Sequence, residues 1–235
     1  EASGTKYVPK DLMEQWALKD PLVNYQAYLK EEGILTEKDE VKIKEDIMKE
    51  IHDGLEKAYA EEAIAPDLTT ELNDVYKAFK YQEFTPKGKT KEIRFVDAIS
   101  EGLKQSMQKH KDLVIMGQDI ADYGGVFKIT DGFLKAFGEE RVRNTPICES
   151  AIVEAGMGLS IAGIKSVVEM QFADFVTSGF NPVVNYLAKS HYRWNQNADV
   201  VLRMPCGAGV AAGPFHSQTN EAWFTKTPGL KVVYP

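Results

Sequence analysis

Beyond residue 92 the sequence alternates short apolar runs with helical periodicity, and this alternation limits the possible folds more than any other feature. Phe95, Ile99 and Leu103 recur at helical spacing, for example, before a short apolar run begins. Short apolar strands that alternate with helices form a parallel sheet covered by helices on both faces. The predicted strands are residues 113–116, 141–145, 166–170, 200–203 and 231–233, and the predicted helices are 95–107, 130–137, 151–162 and 176–195. We therefore predict an α/β fold with a doubly wound, mainly parallel sheet.

The charge of the chain is distributed unevenly. Residues 1–90 hold 13 Lys+Arg and 20 Asp+Glu, whereas residues 91–235 hold 15 of each, so the net charge of −7 lies in the first part. Neither part has the basic surplus of a nucleic-acid-binding protein. No run of eighteen apolar residues and no signal peptide is found, so neither a membrane span nor secretion is expected. These features predict an intracellular protein, cytoplasmic in a bacterium.

The first part of the chain has the capping signals of helices. Asp20 precedes Pro21, a favoured pair at a helix start. Thr36 and Asp39 have the spacing of a capping box, and the apolar periodicity after them continues to about Glu62. We predict a helix from Pro21 and a long amphipathic helix from Thr36, with a densely charged face in solvent.

A lysine-rich segment separates the two parts. Residues 82–92, with Pro86 and Gly88, have no apolar periodicity, which is typical of a linker. A short helix at about 70–81 is expected before it. The predicted organisation is a helical region at 1–81, a linker at 82–92 and an α/β domain at 93–235.

Metal-binding and phosphate-binding patterns are absent from the sequence. Cys148, Cys206 and the four histidines do not have the spacing of metal ligands, and the two cysteines are expected to be free thiols. The glycine-rich motifs GxGxxG and GxxxxGK[ST] do not occur. The glycines of residues 122–125 and 130–132 are typical of structural turns.

Glu149 stands out because it lies at the start of a helix made largely of small apolar residues, TPICESAIVEAGMGLSIAG. An acid at a helix N-terminus is favoured by the helix dipole, typically by about 0.3–1 kcal/mol, and this alone explains its position. The alternative is that the carboxyl faces a pocket and takes part in proton transfer. The helix end favours the charged form and an apolar pocket favours the neutral form, so the sequence leaves both open.

Two further loops come after predicted strands, where parallel sheets bind their ligands. The stretch EMQFADF supplies Gln171, Phe172, Asp174 and Phe175, and the stretch GPFHSQ supplies His216. Taken singly, the aromatic residues fit a core equally well and the histidine fits a surface or cap position. Together with Glu149 they predict one site for an aromatic, hydrogen-bonding ligand.

Residues 92–235 resemble the beta subunit of thiamine-diphosphate-dependent 2-oxo acid dehydrogenases, the pyruvate and branched-chain family. Residues 1–81 resemble the C-terminal tail of the alpha subunit of the same enzymes. The collinear stretches that carry the beta resemblance are FVDAISEGL, VIMGQDIADYGGVFKITDGFLKAFG, RVRNTPICESAIVEAGMGLSIAG, VVEMQFADF, GPFHSQ and PGLKVVYP. An alpha tail, a lysine-rich linker and a beta start imply a fused enzyme with the thiamine-diphosphate-binding fold.

The resemblance implies a role for each candidate residue. By motif position, Glu149 matches the acid that hydrogen-bonds the pyrimidine ring nitrogen, and the backbone carbonyl of Ile147 would face the amino group. Phe175 would stack on the pyrimidine and Gln171 would line the site. His216 matches a histidine placed towards the substrate and the incoming lipoyl group.

The resemblance also implies cofactors and partners. The beta part of the family holds the pyrimidine half of thiamine diphosphate, and the alpha part holds the diphosphate and Mg²⁺ with a GDG…N motif that we do not find here. Mg²⁺ is therefore expected to be held outside this chain, and the domain at 93–235 is expected to be incomplete at its C-terminus. The implied reaction decarboxylates a 2-oxo acid and passes the acyl group to the lipoyl group of a dihydrolipoyl acyltransferase. A split cofactor site implies a homodimer or higher oligomer.

Two other interpretations stay open. One is another thiamine-diphosphate enzyme, such as a transketolase-like protein, which the alpha-like region at 1–81 disfavours. The other is a non-catalytic α/β binding module, in which Glu149 only complements the helix dipole and His216 only caps a helix.

Overall fold

The computed structural model describes residues 7–83, 85 and 87–235, and the chain divides into two compact units between Pro66 and Asp67. Residues 82–92 form no helix or strand where they are described, and Phe84 and Pro86 lie outside the described residues. The predicted linker and domain bounds therefore stay a prediction. In the described part of the chain, no helix is both long and apolar enough to cross a bilayer.

The first unit contains the helices α1 (Lys10–Ala17), α2 (Pro21–Glu31) and α3 (Glu37–Ala60), and α2 and α3 start at the predicted capping signals. The Asp20 side chain accepts hydrogen bonds from the first turn of α2, with Pro21 as its first residue. Thr36 and Asp39 form the predicted capping box at the start of α3. Both devices satisfy backbone N–H groups that have no partner within the helix.

The second unit is built on a four-stranded sheet of β1 (Val114–Gly117), β2 (Val142–Asn144), β3 (Ser166–Glu169) and β4 (Val200–Arg203). Their order is β2–β1–β3–β4, and every pair of neighbours is parallel. The predicted fold class, α/β with a parallel sheet, is confirmed. Its α-helices are α4 (Leu68–Asn73), α5 (Phe95–Lys109), α6 (Phe133–Phe137), α7 (Glu149–Ile161), α8 (Ser190–Trp194) and α9 (Ala222–Thr225).

Both faces of the sheet are covered, and successive residues of the central strands enter different cores. Ile115 of β1 packs in a core with α5 and α6, whereas its neighbour Met116 packs in another core with α7. Val167 and Val168 of β3 divide in the same way. Side chains of a strand alternate between the two faces, so runs that are apolar throughout fit a sheet with helices on both sides.

One predicted helix is divided in the structure. Residues 176–195 lie in a helical run that changes pitch, with a 3₁₀ segment at Ala173–Gly179, a π-helical segment at Pro182–Leu187 and then α8. Pro182 has no N–H to donate to the preceding turn, which disfavours a regular α-helix there. Gly179 also lies against the carbonyl of Glu149, where a Cβ would come within 3.3 Å of the oxygen. This close packing fixes the start of the run against α7.

Two further predictions of secondary structure are wrong. The helix predicted at 70–81 ends at Asn73, and the chain beyond it makes tertiary contacts instead of helical hydrogen bonds: the Lys231 ammonium lies 4.0 Å from the Phe79 ring. Residues 231–233 form no strand in the described part of the chain, and Val233 is 81% exposed. A strand requires a hydrogen-bonded neighbour, and an apolar run alone does not supply one.

The small residues of α7 allow the helix to lie directly on the sheet. A Cβ at Gly156 would lie 2.8 Å from Cγ1 of Val168 in β3 and 3.2 Å from Cγ1 of Val200 in β4. The side chains at these contacts are β-branched and stiff, so they cannot move aside easily. The glycine therefore sets the distance between α7 and the sheet.

We expect Gly156→Ala to destabilise this unit and Gly158→Ala, on the same helix, to stabilise it. Position 158 is exposed, and nothing lies within 4 Å of a Cβ there. Both changes gain helix propensity of up to about 1 kcal/mol, but only the first overpacks a core, at a cost of about 1–3 kcal/mol. The difference between the two variants isolates the overpacking. It can be measured in the full-length protein as the opening free energy of amides in β3, by native-state hydrogen exchange. Equal values for both variants would contradict the close packing.

Candidate functional site

The strand order of the sheet reverses between β1 and β3, and the carboxyl ends of these strands lie at one edge of the sheet. From β1 the chain proceeds to β2 on one side, and from β3 it proceeds to β4 on the other, although β1 and β3 are neighbours. A crevice opens at such a switch point, and open parallel sheets bind ligands there. The segments that begin at Gln118, Thr145 and Met170 all leave the sheet at this edge.

Glu149 is the first residue of α7, and its side chain is half-buried. Its Oε1 accepts a hydrogen bond of 3.2 Å from Nε2 of Gln118, the residue directly after β1. Gln118 is only 7% exposed, so the amide is fixed within the protein and limits the orientation of the carboxyl group. This contact joins α7 to the loop after β1 at the switch point.

Gln171 contacts the same loop, one residue further along. Its Nε2 donates a hydrogen bond of 2.8 Å to Oδ2 of Asp119. Asp119 has a φ of 58°, a left-handed conformation that Asp tolerates better than most residues. Its carbonyl oxygen also accepts a 2.8 Å hydrogen bond from the N–H of Gly125. Backbone in this conformation is held by its surroundings and is common at ligand sites.

His216 lies among aromatic rings from the segment after β3. Its imidazole is 5.0 Å from the ring centre of Phe172 and 5.2 Å from that of Phe175, edge to face in both cases. Phe127, from the loop after β1, extends the cluster by an edge contact of 5.8 Å with Phe172. The histidine and Phe175 are each half-buried. We call these four residues the aromatic cluster.

The structure therefore connects four of the five predicted site residues. Phe175 and His216 touch directly. Glu149 and Gln171 each bond to one of two consecutive residues after β1, and Gln171 is followed in the chain by Phe172 of the aromatic cluster. Ile147 is 84% exposed, and the role of its carbonyl stays a prediction.

Glu169, the first residue of the stretch EMQFADF, forms a structural ion pair with Arg203. It is only 5% exposed, and its Oε2 lies 2.6 Å from Nη2 and 2.9 Å from Nε of Arg203, the last residue of β4. A buried carboxylate needs such a partner, because an unpaired buried charge is strongly unfavourable. The ion pair ties the ends of β3 and β4 together beneath the site.

The loop after β1 is a set of interlocked turns, as its glycines predict. Gly124 has a φ of 78°, and a Cβ there would lie 2.8 Å from the Cα of Asp131. The N–H of Thr130 donates back to the carbonyl of Gly124 at 3.1 Å. Among residues 7–83, 85 and 87–235, no three His, Cys, Asp or Glu side chains are grouped closely enough to hold a metal ion.

Gln118 and Asp119 are functional candidates that reasoning from the sequence did not single out. Their position contained a usable signal, because two polar residues come directly after an apolar run, where a strand of a parallel sheet ends. Their partners, however, lie 31 and 52 residues away in the chain, and only the folded sheet brings them together.

The second unit is thus an open parallel α/β fold with a carboxyl, an amide and aromatic rings at its switch point. Folds of this class bind small molecules there. Residues 91–235 match the family model "Transketolase, pyrimidine binding domain", and residues 2–67 match the model "Dehydrogenase E1 component". Because the first match covers more than half of the 235 residues, the chain belongs to the transketolase pyrimidine-binding domain family.

Curated relatives are similar to the second part of the chain. They include 2-oxoisovalerate dehydrogenase subunit beta of Bacillus subtilis (strain 168), 42% identical over 145 residues, which are 61% of this chain and 44% of that protein. Pyruvate dehydrogenase E1 component subunit beta of Acholeplasma laidlawii is 40% identical over the same length, with the same coverage. The mitochondrial 2-oxoisovalerate dehydrogenase subunit beta of Dictyostelium discoideum is 39% identical over 151 residues, 63% of this chain and 40% of that protein. The chain thus spans less than half the length of these relatives, and the predicted resemblance to 2-oxo acid dehydrogenases is confirmed.

Proposed function

We propose that the full-length protein, the complete product of the gene that encodes this chain, is the first component of a 2-oxo acid dehydrogenase. It would use thiamine diphosphate to decarboxylate pyruvate or a branched-chain 2-oxo acid. The acyl group would then pass to the lipoyl group of a dihydrolipoyl acyltransferase. Mg²⁺ would be held outside this chain, and the active protein would be a homodimer or a higher oligomer.

The observation that carries this proposal is the arrangement at the switch point. A carboxyl group, amides and a cluster of aromatic rings come from the four segments that follow β1, β2, β3 and β4, and they meet at the carboxyl edge of one sheet. A flat heterocycle with ring nitrogens needs these groups: rings to stack on, and hydrogen-bonding side chains at its edge. The residues present therefore fit the pyrimidine half of thiamine diphosphate.

The two family matches support a 2-oxo acid dehydrogenase over a transketolase-like enzyme. The Dehydrogenase E1 component model matches residues 2–67, ahead of the pyrimidine-binding match at 91–235. A transketolase-like protein or a non-catalytic binding module would not explain the match of residues 2–67 to the Dehydrogenase E1 component model. The order of the two matches is also the order expected of an alpha tail fused to a beta start.

Each candidate site residue has a defined role in the proposed mechanism. When bound, thiamine diphosphate would supply the nucleophilic carbon and the electron sink that decarboxylation of a 2-oxo acid requires. Glu149 would hold a proton at its carboxyl oxygen against the pyrimidine nitrogen, while Gln118 occupies the other side of the carboxyl group at Oε1. Phe175 would stack on the pyrimidine, and Gln171, held by Asp119, would line its edge. Such preorganised groups stabilise charge that develops during reaction.

His216 would act on the substrate side of the same site. Its contacts with Phe172 and Phe175 keep the half-buried ring in place, and an imidazole has ring nitrogens that can donate or accept a hydrogen bond. The proposed task is to donate a hydrogen bond or proton during acyl transfer to the lipoyl group. The phenylalanines of the aromatic cluster would also shield the acyl chain from water.

A comparison of substrates tests the proposed function. We expect the full-length protein to turn over pyruvate and 2-oxoisovalerate, but 2-oxoglutarate at least about tenfold more slowly. The second carboxylate of 2-oxoglutarate would need a cation, and Arg203 is already paired with Glu169. Pyruvate and 2-oxoisovalerate differ only in methyl groups, and a pocket separates such substrates by about 1–3 kcal/mol for each group.

Turnover is measured with an artificial electron acceptor, with thiamine diphosphate and Mg²⁺ present or removed. Activity without thiamine diphosphate would exclude the proposed class of enzyme. Full dependence on thiamine diphosphate with a preference for 2-oxoglutarate would support the proposed class of enzyme. It would reject pyruvate and branched-chain 2-oxo acids as the substrates. No dependence and no turnover would favour a binding module.

A further inference from the structure

The loop that contains His216 is fastened to the segment after β3 by one carboxylate. Oδ1 of Asp174 accepts a hydrogen bond of 2.9 Å from Nε2 of Gln218 and one of 3.3 Å from its backbone N–H. The same Nε2 donates 2.8 Å to the carbonyl of Pro214, on the other side of His216. Gln218 therefore closes the loop around the histidine, and Asp174 holds the closed loop in place.

Asp174 lies between the two residues whose rings confine the imidazole. Phe172 and Phe175 belong to the same short segment, and both contact His216 edge to face. Asn220 adds a further connection, because its side-chain N–H donates 3.0 Å to the carbonyl of Ala173. One segment thus supplies both the rings that surround the histidine and the acceptors that fix the backbone around it.

The second oxygen of Asp174 indicates that stability alone does not account for this carboxylate. Asp174 is only 7% exposed, and its Oδ2 is buried without a hydrogen-bond partner in the described part of the chain. Burying a carboxylate oxygen without a partner is unfavourable, so Asp174 is held at this position at a cost to stability. A residue that keeps such a cost at the edge of a site is a candidate for a functional role.

We propose that Asp174 is a positioning residue that holds the His216 imidazole between Phe172 and Phe175 for the acyl-transfer step. The inference rests on the proposed function for the identity of that step, and on the hydrogen bonds for the positioning itself. Asp174 does not touch the reacting atoms in this account; it acts through Gln218 and the loop.

The first test needs no activity. Amide hydrogen exchange of residues 213–220 is compared in the full-length protein for wild type, Asp174→Ala, Asp174→Asn and the control Asp199→Ala. Asp199 is exposed, and its carboxylate lies 3.9 Å from Lys165, away from this loop. We expect faster exchange of this segment in Asp174→Ala only, because Asn keeps the Oδ1 acceptor for Gln218. Unchanged exchange in Asp174→Ala would overturn the positioning role.

The second test measures acyl transfer to a lipoyl domain. We expect Asp174→Ala to lower the rate about 10²-fold, the scale of loss when a catalytic group is displaced by about 1 Å, and Asp174→Asn to restore most of it. In a His216→Ala background, Asp174→Ala should have no further effect, since both changes remove the same contribution. Losses that multiply in the double variant would show an independent, structural role.

If Asp174→Ala does not fold, a variant of its hydrogen-bond partner Gln218 tests the proposal instead. Gln218 is exposed, so Gln218→Ala removes the Nε2 hydrogen bonds without opening a core. It should raise exchange in 213–220 and lower acyl transfer less than Asp174→Ala does. A normal acyl-transfer rate in His216→Ala would instead reject the proposed role of His216, while the exchange experiment would still decide whether Asp174 positions the loop.

Discussion

Glu149→Gln is expected to lower decarboxylation by about 10²–10⁴-fold and to leave the fold intact. The loss corresponds to removing a general acid–base group, because an amide cannot share a proton with the pyrimidine nitrogen in the same way. The fold should persist because the substituted amide keeps an oxygen at the position of Oε1, where Gln118 donates its hydrogen bond. The measurement is turnover of the full-length protein with an artificial electron acceptor, beside a titration of thiamine diphosphate binding.

The alternative interpretation of Glu149 makes a different forecast for the same variant. An acid that only complements the helix dipole contributes about 0.3–1 kcal/mol to stability and nothing to turnover. Glu154 provides the matched control, because it lies on the same helix, is exposed and accepts a hydrogen bond from Ser150. Glu154→Gln should leave activity unchanged. Near wild-type activity in Glu149→Gln would reject the proposed role of this residue.

The fold of the second unit was predictable because its central strands, β1 and β3, each contain an apolar run with side chains on both faces of the sheet. Residues such as Ile115 and Met116 enter different cores, so both must be apolar, and this leaves a clear pattern in the sequence. The capping signals of α2 and α3 were equally local, since Asp20 and Thr36 each act within three residues. Features that depend on neighbours in the chain could be predicted from the sequence.

The parts that were missed depend on contacts between distant segments. The predicted helix at 176–195 changes pitch where Gly179 meets the carbonyl of Glu149, a contact that no local propensity encodes. The same is true of the site. Gln118 and Asp119 could be assigned to it only from their hydrogen bonds with Glu149 and Gln171, which come from distant segments of the chain. Position in the sequence singled out Glu149, Gln171, Phe175 and His216, and resemblance to a family supplied their roles and added Ile147. The structure added the residues that hold them.

His216→Ala is expected to lower acyl transfer to a lipoyl domain by about 10²–10⁴-fold and to change thiamine diphosphate binding little. The imidazole lies at 81° to the rings of Phe172 and Phe175, and its removal takes away a proton donor while both rings stay in the protein. The measurements are reductive acylation of the lipoyl domain by the full-length protein and a cofactor titration of the same sample.

A structural role for the histidine would give a different result. If His216 only filled space between the two phenylalanines, its truncation would loosen the aromatic cluster and weaken cofactor binding and turnover together. His191→Ala is a suitable control, since His191 is also half-buried in this unit and its backbone carbonyl, rather than its ring, accepts the hydrogen bond from Asn195. A loss confined to acyl transfer in His216→Ala, absent from His191→Ala, supports a substrate-side role because only that step needs a group beyond the pyrimidine. Equal losses of binding and acyl transfer would reject it.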